Sequence, residues 1–460
     1  MRLLTNILKT TRGSEVNLLD SEDYNLFFKE EELILWIKEI VDFGIRRPGY
    51  EADIKCQEWI KTKFLEFNLS DIKEEPVELL IWEESGARLT VWQNQEPTLT
   101  TEIPAFPVPF TTPTKNFIGE LAPLDAIAEE SSSTIAIGKL GLSTVPLNFF
   151  RSLAVDFYDP KDEFNYLQQT LPFGPEFTEV LTPAINKSVR AFIGILDEFP
   201  WETMEYYVPY DGIVKDITAV WISKKSGSRI LSMMQNGTVS GSISVSGTNR
   251  MGKSENISAT IYGKSDKWII IGSHHDAPWA SAVEDGSGIA MVLSLAKYYS
   301  QAEKPKHNIL FLLTAGHMSG GAGTKTFIKD HPEIVKNLVL EIHLEHAANE
   351  CTISDGKLLP TGMPECRWWF VTEDEHLLKA VKSALIAENL ERSLIFKPDV
   401  FFEHPPTDGG FFHLENVPIL NFLTAPMYLF DPDDTIDKVH ITSLGSVPRA
   451  VVQIIKSLEE

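Results

Sequence analysis

From about residue 255 onward, near-continuous apolar runs alternate with stretches whose apolar residues recur at helical spacing. The runs are WIIIGS, NILFLLTA, NLVLEIHLEHA and VPILNFLTA. Between and after them, GIAMVLSLAKYYSQAEK, TKTFIKDHPEIVKN, EHLLKAVKSALIAENL and SVPRAVVQIIKSLEE predict helices. A strand covered on both faces has no polar side, so this alternation predicts an α/β fold: a mixed, mostly parallel sheet flanked by helices. Upstream, residues 30–67 predict two helices, EEELILWIKEIVDFG and YEADIKCQEWIKTKFLEF, split by the breaker RRPGY. EEPVELLIW and ARLTVWQ predict strands over 73–93. The Pro- and Thr-rich EIPAFPVPFTTPTKN then marks a boundary. From 103 to about 250 the pattern is mixed, with short runs such as STIAIGKL, RAFIGILD and ITAVWISKK, closed by the strand-like GTVSGSISVSGTNRMGKS.

A chain of 460 residues exceeds one average domain, so two are expected. Its formal net charge of -24 argues against nucleic acid and anionic membranes as partners, because phosphates need clustered Lys and Arg. No stretch approaches the roughly 18 apolar residues of a membrane span. The N-terminal MRLLTNILKTTRGSEV lacks the apolar core and cleavage site of a signal peptide. Cys56, Cys351 and Cys366 form no CxxC pair, which fits a reducing compartment, so a cytoplasmic location is expected.

In open α/β sheets, sites lie at the carboxyl ends of the strands. Here those ends are polar. His274, His275 and Asp276 follow WIIIGS; Gly316 and His317 follow NILFLLTA; Glu345 and His346 end LVLEIHLEH; Glu284 and Asp285 precede a helix. Taken singly, each has an ordinary reading, as a hydrogen-bonded histidine or a helix cap. Taken together they point to a metal, since unpaired carboxylates at buried strand ends repel unless a cation lies between them. The donor mix suits Zn, or Mn or Fe, as one ion or two. The competing chemistries are weak. GGAGTKTF lacks phosphate-loop spacing, Ser287 sits in GSG rather than GxSxG, and no cysteine has a nucleophile's context. Trp279, between His275 and Glu284, is either a pocket residue or simple packing.

At these residues the chain resembles the co-catalytic zinc aminopeptidases, a glutamate carboxypeptidase-like family that also holds non-peptidase relatives. NISATIYGKSDKWIIIGSHHDAPWASAVEDGSGIAMVLSLAKYY is similar to the family's first metal-binding block. DFGIRRPGYEADIKCQEWIKTKFLEFNL resembles its N-terminal helices, and TDGGFFHLENVPILNFLTAP and DDTIDKVHITSLGSVPRAVVQII resemble its C-terminal blocks. The resemblance implies an aminopeptidase-like domain of residues 1–102 and 251–460, with 103–250 as a smaller, strand-rich, protease-associated-type insertion. It implies His274 as a metal ligand, Asp276 as its supporting carboxylate, and Glu284 in place of a bridging Asp, with the Glu284–Asp285 peptide cis. Where the family reads Ala-Glu-Glu, this chain reads Ala315-Gly316-His317. His317 can ligate, but Gly316 cannot serve as the general base. Glu345 matches the next ligand, and Phe430 stands where the last histidine belongs. His404 and Asp408, in FFEHPPTDGGFF, lie where the family forms its substrate pocket and are candidates to complete the metal site. His275, Asp285 and His346 are candidates for the missing base.

The expected function is a metal-dependent hydrolase of amide or peptide bonds with a rearranged centre, acting on a peptide or small amide. The alternative is a catalytically silent binding protein on the same scaffold. Homo-oligomerisation stays open.

Overall fold

A computed structural model describes residues 19–127, 131–174 and 179–459. The N-terminal segment read for a targeting signal lies outside them. The predicted helices form as α1 (Glu30–Asp42) and α2 (Glu51–Glu66), and later as α3 (Gly288–Gln301), α4 (Glu375–Ala387) and α5 (Ile441–Glu459), except that TKTFIKDHPEIVKN becomes two short helices, Ala322–Asp330 and Pro332–Lys336, because Pro332 starts a new one. Residues 73–93 form one long strand, β1 (Ser70–Gln93), rather than two. It pairs antiparallel along nearly all of β2 (Val239–Ile261), and the break between the two predicted strands is only a register irregularity between Glu84 and Gly86.

The four apolar runs become β3 (Trp268–His274), β4 (Asn308–Thr314), β5 (Leu338–Leu344) and β6 (Ile419–Thr424). They lie in the order β4-β3-β5-β6, each parallel to its neighbour, at the centre of a 15-stranded sheet. The reason for the unbroken apolarity is visible in β3. Ile269 and Ile271 join the helix-covered core with Ile289, Val292 and Val451, while Ile270 packs on the opposite face with Leu310, Phe327 and Phe412.

The stretch 103–250 reaches this sheet at both ends. Thr114–Pro123, Thr134–Gly141, Ala191–Glu198 and Thr218–Ser223 extend it outward from β2, around a second apolar cluster of Leu121, Ile135, Ile193, Val220 and Ile243. Asp156–Tyr158 instead pairs with Ser393–Phe396 at the far edge. Residues 143–173 therefore cross to the side on which the loop 401–411 lies, where the two form a shared wall. Cys56, Cys351 and Cys366 are free and buried. Among the described residues, no helix is long and apolar enough to cross a membrane.

Candidate metal centre

β3 ends at His274, and His275 follows it directly; the two rings go opposite ways, as successive side chains of an extended chain do. His275 turns away from the cluster. Its Nδ1 meets Asp53 Oδ1 at 2.8 Å and its Nε2 meets the Glu255 carbonyl at 2.8 Å. Burial opposes its charge, but Asp53 raises its pKa, so it acts as a pin between α2 and β2. His274 turns inward and is fully buried.

Three imidazoles share one arrangement. His274 Nδ1 donates to the Asp276 carbonyl at 2.9 Å, His346 Nδ1 to the Thr424 carbonyl at 2.9 Å, and His317 Nδ1 to Asp408 Oδ1 at 2.8 Å. Each acceptor fixes the tautomer and leaves Nε2 facing inward, as in metal sites whose histidines are oriented from behind. The three Nε2 atoms converge on two buried carboxylates. His274 Nε2 lies 3.3 Å from Glu284 Oε1 and 4.0 Å from Glu345 Oε1. His317 Nε2 lies 3.9 Å from Glu284 Oε1. His346 Nε2 pairs with Glu284 Oε2 and lies 3.8 Å from Glu345 Oε2. Both oxygens of Glu284, both of Glu345, and Nε2 of His274 and His346 are buried, and despite these close approaches none makes a hydrogen bond of good geometry. Orphaned donors and acceptors of this kind are costly, and one cation at about 2.0–2.2 Å from several of them removes the cost. Two overlapping triads, His274–Glu345–His346 and His274–Glu284–His317, have donor atoms close enough to share an ion.

The electrostatics agree. Burial, with the other histidines adding to it, pushes His274 well below its ordinary pKa, so it is neutral and its lone pair is free. Burial opposes charge on His346 too, but Glu284 and then Glu345 raise it to about 10. The carboxylates thus demand positive charge, which a metal ion supplies in place of protons.

Several residues hold the donors in place. Asp276, raised to about 6 by burial, accepts the backbone N–H groups of His317 (3.1 Å) and Met318 (2.8 Å). Its carboxylate therefore fixes the turn that carries His317, while its backbone carbonyl orients the ring of His274. Asp285 bonds Ser273 Oγ and accepts from the N–H groups of Gly288 (3.1 Å) and His346 (3.2 Å), so it is a structural anchor. The Glu284–Asp285 peptide is cis, as the resemblance implies. Asp408 bonds His317, Thr314 and Thr324, standing behind a donor rather than among the donors. His404 stays apart, its Nδ1 2.6 Å from the Pro405 carbonyl. Gly316 has φ +77, and a Cβ there would come within 2.8 Å of Leu79 Cδ2. The turn that presents His317 thus needs glycine. Phe430 packs against Tyr210, with ring centroids 5.1 Å apart. Trp279 is packing: it is buried, and its Nε1 donates to the Phe430 carbonyl at 3.0 Å.

Three contributors escaped the sequence reading. Arg46, within the supposed breaker RRPGY, is buried and donates to the carbonyls of His275, Ala280, Ser281 and Glu284, clamping the loop between β3 and α3. Asp434 accepts the N–H groups of Val283 and Glu284, each at 2.8 Å. His343 sits 2.9 Å from Glu345 Oε1 and 3.3 Å from Glu341 Oε1, and the two glutamates, working against burial, raise it to about 10. Only His343 left a signal, the period-two alternation Glu341-x-His343-x-Glu345 along β5.

A chamber of about 30 Å³, room for a water, touches Glu284, His317 and His346. A larger cavity of about 1180 Å³ begins at His317 and Asp408.

The model of Peptidase family M28 matches residues 256–455. These residues form a Peptidase family M28 domain. All the converging donors lie within the M28 domain. Among solved structures, the chain is similar to an aminopeptidase from Aneurinibacillus sp. strain AM-1, with 16% identity, 94% of this chain and 95% of that one covered, and a TM-score of 0.65. It is similar to a peptidase M28 precursor from Shewanella amazonensis SB2B at 18% identity, 95% and 96% coverage, and a TM-score of 0.69. It is also similar to BSAP, a zinc aminopeptidase from Bacillus subtilis, at 15% identity, 94% and 96% coverage, and a TM-score of 0.67. At these identities the likeness is one of fold. No curated protein matches the chain.

Proposed function

We propose that the protein is a metal-dependent hydrolase of amide or peptide bonds with a rearranged centre. The observation that carries this reading is the convergence of three oriented imidazole Nε2 atoms on two buried carboxylates whose four oxygens make no hydrogen bond of good geometry. In this proposal His274, Glu284, Glu345 and His346 hold the ion. His346 then compensates for Phe430, because its Nε2 already pairs with Glu284. A divalent transition metal, zinc above all by the resemblance, would supply a Lewis acid for the scissile carbonyl and for water.

His317 takes the base's role in place of Gly316. Of the converging donors it lines both the chamber and the large cavity, and it is backed by the Asp408 carboxylate. An imidazole oriented by a carboxylate accepts a proton from water and returns it to a leaving amine. His275 and Asp285 are committed elsewhere by their bonds and take no part in proton transfer. The competing reading, a silent relative that binds without turnover, draws on Gly316.

The deciding experiment is metal analysis with turnover on an amide panel, for wild type, His346→Ala and His317→Ala. The proposal expects stoichiometric metal in wild type, loss of metal in His346→Ala, and retained metal without turnover in His317→Ala. Metal without turnover on any amide supports the silent relative. A wild type that takes up no metal after Zn or Mn addition sinks both the centre and the hydrolase.

A further inference from the structure

The cavity outside the metal centre is larger and more apolar than a site for one amino-acid side chain needs. At about 1180 Å³ it exceeds the roughly 300–1,000 Å³ of ordinary ligand pockets. One wall comes from the 143–173 stretch, through Val145, Phe150, Leu171 and Phe173; the other is Phe401 and Phe411. Phe149, Ile213 and Phe402 form a lip that is 52%, 60% and 53% exposed. Large apolar side chains left in water around an opening mark a surface that meets an apolar ligand. At its inner end, the cavity shares Phe173, Tyr210, His317 and Pro406 with the chamber beside Glu284 and His346, so His317 faces both spaces.

The charged groups of the lining narrow the ligand's chemistry. Asp408 is bonded to His317, Thr314 and Thr324. Asp211 is paired with Lys215 at 2.5 Å. Lys325 donates to the Gly320 carbonyl and lies 4.4 Å from the Phe411 ring centroid. Glu179 is exposed at the mouth. Among the described residues, the lining of the large cavity thus offers no uncommitted carboxylate to a free α-ammonium group, Glu284 lying in the inner chamber among the proposed donors, and an ammonium buried without a partner is strongly disfavoured.

We infer that the cavity takes the hydrocarbon chain of an N-acyl amide, placing its carboxamide at His317. This rests on the hydrolase reading for the reaction, but the chain site stands on the cavity alone. In the reaction, the oxygen of water bonds to the acyl carbon and the C–N bond breaks. His317 passes one proton taken from that water to the amine nitrogen, and the acid's remaining proton follows to the amine, giving a fatty carboxylate and an alkylammonium.

The test has two arms. Calorimetric titration of wild type with hexanoate, octanoate and dodecanoate reads the chain site without turnover. Affinity should rise roughly two- to four-fold per added methylene, since each buries apolar surface. Leu171→Trp, filling the cavity, should weaken dodecanoate at least ten-fold, and Val145→Trp does the same from another segment should the first variant fold poorly. The second arm compares hydrolysis of N-hexanoyl-, N-octanoyl- and N-dodecanoylglycine with leucine p-nitroanilide. Preference for the longer acyl chains supports the inference. Cleavage of the anilide with no binding of dodecanoate overturns it and leaves the hydrolase reading intact. Binding with chain-length dependence but no hydrolysis upholds the chain site and removes the hydrolase reading.

Discussion

His317 and Asp408 lie 91 positions apart in sequence and meet at 2.8 Å, Nδ1 to Oδ1, with both side chains nearly buried. That contact turns Nε2 of His317 onto Glu284 and onto the chamber beside it, while the ring also borders the large cavity. If His317 is the base, Asp408 is its positioning residue. Asp408→Asn should then lower kcat by about 10- to 100-fold and move the acidic limb of the pH–rate profile, while bound metal stays at the wild-type level. Loss of metal in this variant would make His317 a ligand instead.

The metal itself should stabilise the fold. Glu284 and Glu345 are buried in one cluster, their oxygens without a hydrogen bond of good geometry, and an ion binds the folded state alone. Saturating Zn or Mn at about 1,000 times Kd should add about 4 kcal/mol, seen as a rise in Tm that a chelator reverses. Glu345→Gln should lose most of that rise. An unchanged Tm on metal addition would contradict the donor set.

Arg46 donates to four carbonyls of the loop that carries Glu284. Arg46→Met leaves those carbonyls buried and unpaired, so stability in urea should fall by about 3–5 kcal/mol. Arg46→Lys should rescue little, because an ammonium cannot reproduce the planar fork. Full stability in either variant would show that the loop is held by Asp434 alone.

Glu365 gives a pH dependence remote from the donors. Burial raises its pKa to about 8, partly offset by the N–H of Cys366. The folded state therefore holds this proton more tightly than the unfolded state does. The contribution is fully present below the unfolded value near 4.5 and is lost as pH rises through 8. Glu365→Gln should match wild type near pH 4. It should gain on wild type by up to about 1.4 kcal/mol per pH unit above that and level off past pH 8. Urea melts at pH 5, 7 and 9 measure this; a constant difference would place the proton elsewhere.

The central sheet was legible because strands covered on both faces must be apolar throughout, and the runs are short for buried helices and alternate with helical stretches. The same rule put His274, Glu284, His317, Glu345 and His346 on one rim, since parallel neighbours bring their carboxyl ends together. Period-two alternation also held the signal of His343, between Glu341 and Glu345. The rest depended on contacts between distant segments. Which of His274 and His275 faces the cluster turns on the strand's rotation against its neighbours, so adjacent identical residues cannot be told apart by pattern. Arg46 read as part of a loop because nothing local shows the carbonyls it would meet, 229 to 238 positions away. Asp408 read as a candidate ligand, and its carboxylate bonds His317 Nδ1 and Thr314 instead of pointing at the converging Nε2 atoms, a placement set by how the 401–411 loop packs on β4. Sequence by itself determined the elements and the donor types, because those follow from local periodicity and chemistry. Only the tertiary structure decided which donors converge and which orient them, because that depends on how segments far apart in the chain pack.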